Sequence, residues 1–520
     1  MMKGYKKIIL TFLCAAVLAL LTCVAACGET PPEPLVPFSP PLFYEDFGAV
    51  GDGIADDFDA IKRTHEQANK TGRPVSCDDG STFYIGAHRD TVAVKTDTDW
   101  GKAHFIIDDS EVSVDDRSFH VFEIRSDSPS QKVKVPSALK LKKGDKNIGV
   151  KPGAPALIQI VNSEKKDYIR YGKNTNSGSS RQEILLVDAD GNIDPTTPLL
   201  WDYDKVTDMT AYSVTDKAIT VSGGIFTTIA NTVPVSTNYY ARGISVRRSN
   251  TTVSNVAHYV TGEGKAEGKS CSPYTGFYVV TAANNVTFEE CVLTGRTVYT
   301  NIKPTGAVQQ GTYDTQAVRS NAVSWVNCTQ SNDITDTKFW GVMASNFCKN
   351  LNMTGCKLSR FDAHQGVYNA TISDTDLGHN LTIIGAGTLT LTNVRRLAGS
   401  HFLQLRTDYG STWEGEIVLK DCTLAAPTGN CHIIQAQWND WDFGYTCYLP
   451  EKVTVDNFKA EGASKCSVFS SVTNRSKAEI AVSTNPYVVT KEIAVRNEAT
   501  PLSVSENNSG LFEGTHITRE

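Results

Sequence analysis

Eight segments of this chain repeat one another, and their spacing limits what it can fold into more than any other feature. They are NTTVSNVAHYV (250–260), NVTFEECVLTG (285–295), AVSWVNCTQSN (322–332), NLNMTGCKLSR (350–360), NATISDTDLGH (369–379), TLTLTNVRRLA (388–398), EIVLKDCTLAA (416–426) and KVTVDNFKAEG (452–462). Each reads as a short alternating strand, a polar turn and a second short strand. Successive segments start 35, 37, 28, 19, 19, 28 and 36 residues apart. A 19-residue period cannot hold the four strands of a propeller blade, and no helical periodicity intervenes, so the pattern predicts a parallel β-helix. Nineteen residues make one bare coil, and the longer spacings add loops to it. The seventh residue of the segments is Val256, Cys291, Cys328, Cys356, Thr375, Val394, Cys422 and Phe458. Small or apolar groups stacked in this way predict an interior ladder. The thiols in it are expected to be packing groups, neither disulfides nor metal ligands.

The front of the repeat adds a family likeness. FYEDFGAVGDGIADDFDAIKRTHEQAN (43–69) resembles the opening of the pectate-lyase-like superfamily of right-handed β-helix proteins, secreted carbohydrate-active bacterial members included. The match is specific over these 27 residues, and the coil repeat extends it loosely to about residue 470. The resemblance implies an all-β, right-handed parallel β-helix with an N-terminal helix covering its open end. Asp56 or Asp57 can cap that helix, which runs to about Lys70 with Ala60, Ile61 and Ala68 toward the first coil. There is no GxGxxG, so the glycines are no dinucleotide fingerprint. DTDWGKAHFIIDD (97–109) also has a familiar look but carries no activity with it.

Other stretches depart from the repeat. Residues 1–27 have a basic start, an apolar run and Val24-Ala25-Ala26-Cys27, the form of a lipoprotein signal in which Cys27 becomes the lipid-bearing first residue. Residues 28–42 are Pro-rich and predict a stiff tether, with the β-helix domain from 43 to 520. A lipid-anchored protein held off a bacterial cell surface is the expectation. Between about 130 and 215 the repeat is lost, and turn-punctuated strands predict a β-rich insertion. DADGNID (188–194) within it is read as a turn, because the glycine is misplaced for a calcium loop and the twelfth position is Leu199. The formal charge of −7 becomes −10 once Lys3, Lys6 and Lys7 leave with the signal, and no basic block stands out, which argues against nucleic acid as a partner.

In a β-helix the candidate chemistry sits on an outer face, where side chains form a grid with strands ~4.8 Å apart. SRFDAHQGV (359–367) alternates Arg360, Asp362 and His364 with Phe361 and Ala363. A strict 19-residue count would put Asp362 in the column of Leu381 and turn it inward. Pairing Phe361 with Leu381 keeps the acid outside and spares the cost of a buried unpaired carboxylate. Gln404, Arg406 and Asp408 follow two coils later, with His379 and His401 nearby, and adjacent loops bring Trp413, Trp438 and Trp441, aromatics suited to stacking on sugar rings.

Two chemistries compete for these residues, and a polysaccharide or oligosaccharide is the expected partner for either. Glycoside hydrolysis, the preferred one, would use Asp362 and Asp408 as paired carboxylates, ~9.6 Å apart before any offset and so near the upper end of the inverting range of roughly 6.5–9.5 Å. His364 and Arg360 would hold Asp362 in orientation, and Glu414, Asp440 and Asp442 are substitute acids. A polysaccharide lyase acting on a uronic-acid polymer would instead use His364, Arg360 and Arg406, and calcium is the one cofactor that reading could add. A third expectation is a surface adhesin or tailspike-like binder with no catalysis. Asp362→Asn is expected to spare folding in every case.

Overall fold

The structure, a computed structural model, describes residues 39–520 apart from 236–237, 265–270, 342, 484 and 508–509. Cys27 and the Pro-rich stretch up to residue 38 therefore lie outside the described residues. One continuous network of 34 strands forms the body of the protein, and its pairings are parallel from coil to coil. Val253 pairs with Phe288, Phe288 with Trp325, and Trp325 with Met353, each one coil further along. The chain is a parallel β-helix.

The repeat explains the coil residue by residue. The second and fourth positions of each segment, such as Leu389 and Leu391 or Ile417 and Leu419, are buried, and all but Thr251 belong to a single core. The seventh-position column, from Val256 through Cys291, Cys328 and Cys356 to Phe458, is buried throughout. The sixth position is the corner. Asn255, Glu290, Asn327, Gly355, Asp374, Asn393, Asp421 and Asn457 all adopt positive φ, between 50° and 67°. Asn and Asp tolerate this left-handed bend because their short side chains bond locally. Here they also bond between coils: Asn393 Nδ2 donates to Asp374 Oδ1 at 2.8 Å, and Asn457 Nδ2 to Asp421 Oδ1 at 2.7 Å.

The N-terminal helix spans Phe58–Thr71 and buries Ala60, Ile61 and Ala68. Asp57 occupies the cap position, but its carboxylate accepts from the Val50 and Gly51 amides of the preceding loop. Asp56 takes the Phe58 amide instead, at 3.0 Å. After the Phe122–Arg125 strand the chain leaves the coil. Strands Gln131–Lys132, Ala156–Asp167, Ser179–Val187 and Asp208–Ser213 form a separate four-stranded antiparallel sheet with a core of its own around Ile158, Ile160 and Leu185. The chain re-enters the coil at Ile219–Ser222. DADGNID is a turn in which Asp188 accepts from the Asp190 and Asn192 amides. Among the described residues no helix is long and apolar enough to cross a membrane.

Candidate functional site

The strand Lys357–Ser373 places the alternating row. It pairs with Met343–Thr354 on one side and Asp376–Ile383 on the other. Phe361 lies opposite Leu381, and the register slips by one residue between Leu358 and Arg360. Phe361 and Ala363 sit in the core, so Arg360, Asp362 and His364 point away from it. The outward row is nevertheless not an open surface. Asp362 has no solvent exposure, because neighbouring side chains close over it.

Those neighbours are cations and a phenol. Arg406 Nη1 donates to Asp362 Oδ1 at 2.7 Å and Oδ2 at 2.9 Å, Arg360 Nη2 donates to Oδ2 at 2.8 Å, and the Tyr313 hydroxyl donates to the same oxygen. Arg406 also holds Asp408, through Nε at 3.1 Å and Nη2 at 2.9 Å. Arg170, from the inserted segment, donates to Asp408 through Nε at 2.7 Å. One guanidinium thus bridges the two acids expected to act as a pair, and three arginines neutralise two carboxylates with a positive charge to spare. Burial opposes the Asp362 charge, but Arg406 and Arg360 outweigh it and hold the carboxyl far below its ordinary range. Asp408 is likewise held low, by Arg406 and Arg170 against burial. Both acids are thus held in their charged form by the arginines around them.

His364 behaves differently. Burial, then the Arg406 charge, pushes its pKa down to about 3, so the ring is neutral across the working range. Its Nδ1 faces Asn346 Oδ1 at 3.2 Å. An acceptor there selects the tautomer with Nδ1 protonated and leaves Nε2 bare. The ring borders a cavity of about 370 Å³ whose floor is Gln316, Ala344, Asn346, His364 and Gln365. Arg170 and Asn174 form one wall, and Tyr313, Trp340 and the hairpin of strands Tyr299–Lys303 and Gly306–Gln310 form the other. The hairpin crosses to the inserted segment, where the Thr305 hydroxyl donates to the Lys173 carbonyl at 2.5 Å. The Arg360 guanidinium lies over the Trp340 ring, 4.5 Å from its centroid. Arg360 Nε and Trp340 Nε1 are both buried without an acceptor. The cavity is lined by Arg170, Arg360 and Arg406, which outnumber the carboxylates they pair with, and by a neutral imidazole, a set suited to an anionic ligand.

Several expected site residues have other tasks. Trp413 does not await a sugar ring: it is fully buried, and its Nε1 donates to the Gly387 and Glu416 carbonyls. Trp438 is buried as well, with Nε1 on the Asn485 carbonyl at 3.2 Å. Trp441 is 36% exposed and leans edge-on against Tyr171, and its Nε1 donates to the Ile169 carbonyl at 3.2 Å. Asp440 accepts from the Asn485 amide at 2.8 Å. His379 bonds the Phe339 carbonyl at 3.1 Å, and burial and the Arg360 charge bring its pKa down to about 4. Glu414 pairs with Lys143 and, with Asp442, lines a second cavity of about 750 Å³ between the inserted sheet and the coil. Tyr168, Trp201, Tyr368, Tyr445 and Tyr448 share that lining. Tyr313, Trp340 and Arg170 were absent from the sequence reading. Arg170 meets Asp408 across 238 residues of chain, and no local pattern announces such a contact.

No family model matches the chain, and no curated protein matches its sequence. Solved structures do match. The tailspike protein gp49 of Pseudomonas phage LKA1 is 12% identical, with 92% of this chain and 84% of that one covered and a TM-score of 0.51. The tailspike gp61 of Pseudomonas phage phi297 is 11% identical over the same shares, with a TM-score of 0.50. At such identity the likeness shows the fold alone. The chain is a right-handed parallel β-helix protein, as its resemblance to the pectate-lyase-like superfamily implied.

Proposed function

We propose that this chain is a carbohydrate-active enzyme that binds an acidic polysaccharide in the cavity beside Arg360 and cleaves it by β-elimination. The observation that carries the reading is the composition of that cavity: a neutral His364 beside Arg170, Arg360 and Arg406, three guanidinium groups against two carboxylates. Arg360 would take the uronate carboxylate, which lowers the cost of the negative charge that develops when the adjacent C–H proton leaves. His364 Nε2 would accept that proton, and the incoming carboxylate raises the basicity of the ring as it binds. The Tyr313 hydroxyl, poised on Asp362, would protonate the departing glycosidic oxygen. Asp362 and Asp408 fix the three guanidinium groups and take no proton themselves.

Hydrolysis is the second reading, and one observation favours it. Glu414 and Asp442 line the larger, aromatic-walled cavity, where carboxylates are not locked between arginines. A panel of uronate-containing and neutral polysaccharides separates the cases. Elimination yields an unsaturated sugar with new ultraviolet absorbance, and His364→Gln should lower turnover by about 10²–10⁴ while binding persists. New reducing ends without absorbance, abolished by Glu414→Gln, would move the assignment to hydrolysis. Tight binding without cleavage would make the chain a binding protein. The Val24–Cys27 pattern supports anchoring by lipid at Cys27 on a cell surface. Cys27→Ala should release the protein from membranes, and unchanged retention would exclude that anchor.

A further inference from the structure

Ten cysteines fall among the described residues, all of them buried. Four share one arrangement. The thiols of Cys291, Cys328, Cys356 and Cys422 each point at a carbonyl of the preceding coil, on Val253, Phe288, Trp325 and Leu391, at 3.4–3.5 Å. They pack as weak donors within the ladder. Cys431 and Cys466 are arranged differently. They immediately precede His432 and Ser467, which pair in register between adjacent parallel strands. Neighbouring strands lie ~4.8 Å apart, within the ~4.4–6.8 Å of Cα separation that a disulfide spans. The two sulfurs face each other at 2.6 Å, well inside ordinary nonbonded contact, which is roughly 3.5–4.0 Å even between carbons.

We propose that Cys431 and Cys466 are joined as a disulfide in the finished protein, while the ladder thiols stay reduced. Each thiol gives up one proton and one electron, a sulfur–sulfur bond forms, and a disulfide-bearing oxidant such as oxidised glutathione is reduced to its two thiols. Both sulfurs are enclosed in the completed coil, at 6% and 3% residue exposure, so the exchange takes place on the partly folded chain. The bridge would close a loop that includes residues 437–451, and that loop supplies Asp442, Tyr445 and Tyr448 to the larger cavity. It would fix the base of that wall whichever reaction the protein performs.

Peptide mapping of the full chain tests this. The protein is unfolded and refolded with oxidised and reduced glutathione, then denatured without reductant, alkylated and digested. A linked peptide containing Cys431 and Cys466 is expected, with Cys291, Cys328, Cys356 and Cys422 alkylated. Recovery of Cys431 and Cys466 as separately alkylated peptides would overturn the proposal. Reductant present during unfolding should lower the Tm of the wild type by several degrees and leave the Cys431→Ser/Cys466→Ser variant unmoved. A wild-type Tm indifferent to reductant would equally count against the bridge.

Discussion

A carboxylate gripped by two guanidinium groups keeps its charge even where no water reaches it, and the grip works in both directions. Asp362 stays ionised because Arg360 and Arg406 are beside it, and those arginines tolerate burial because Asp362 is beneath them. Removing one member of such a group leaves an uncompensated charge in a dry place, a loss of roughly 3–5 kcal/mol. Asp362→Asn should therefore destabilise the protein by an amount of that order, read as a shift in the denaturant midpoint at unchanged slope. This reverses the sequence-based expectation that the substitution spares folding. Arg406 carries two carboxylates, so Arg406→Met should cost at least as much. An Asp362→Asn variant as stable as the wild type would show that the cluster adds nothing to stability.

At the scale of the strand and its corners, the sequence was informative because the constraints are local. The alternation of apolar residues set which face of Lys357–Ser373 meets the core, and it chose the Phe361–Leu381 register over a literal residue count. The corner column was equally readable once the segments were aligned, since left-handed positions select Asn, Asp and Gly. Asn393 tests that logic, with a φ of 51° and a side-chain bond to Asp374. Asn393→Val puts a β-branched residue in a left-handed bend and should cost about 1–3 kcal/mol. Asn393→Gly, which gives up the bond but not the bend, should cost distinctly less. Equal losses in thermal melts would place the stabilisation in the side-chain ladder. Trp413 was misread for a reason of the same kind. It pairs with Gly385, in a coil where a Cβ would strike the Val367 carbonyl at 1.9 Å, and two residues on its indole finds the Gly387 carbonyl. A loop that looked free to display an aromatic is a strand that buries it.

Across the whole molecule, the candidate site depends on segments far apart in sequence, and this is why only its floor could be read in advance. Arg170 comes from a loop of the inserted segment, Tyr313 and Trp340 from two other loops, and the repeat specifies none of these approaches. The same long coil also encloses titratable groups in their neutral form, which makes its stability depend on pH. Burial alone takes the pKa of His65 down to about 3, and burial with the Arg406 charge does the same for His364. In the unfolded chain both return to about 6.5. Between these values the unfolded state binds protons that the folded state refuses, so stability is full above pH 6.5 and falls as the pH is lowered toward 3. For His65, with no solvent exposure, the loss by pH 5 is roughly 2 kcal/mol. Below pH 4 the depressed carboxyl of Asp362 adds to it, because the unfolded chain then takes up that proton as well. Calorimetric Tm should be flat from pH 7 to 8, decline by several degrees by pH 5 and fall faster below pH 4. Substituting His364 by Gln, which does not titrate, should reduce the slope between pH 6.5 and 4 without moving the drop below it. A wild-type Tm constant from pH 7 to 5 would mean that these rings are protonated in the folded protein, and the neutral base in the cavity would go with them.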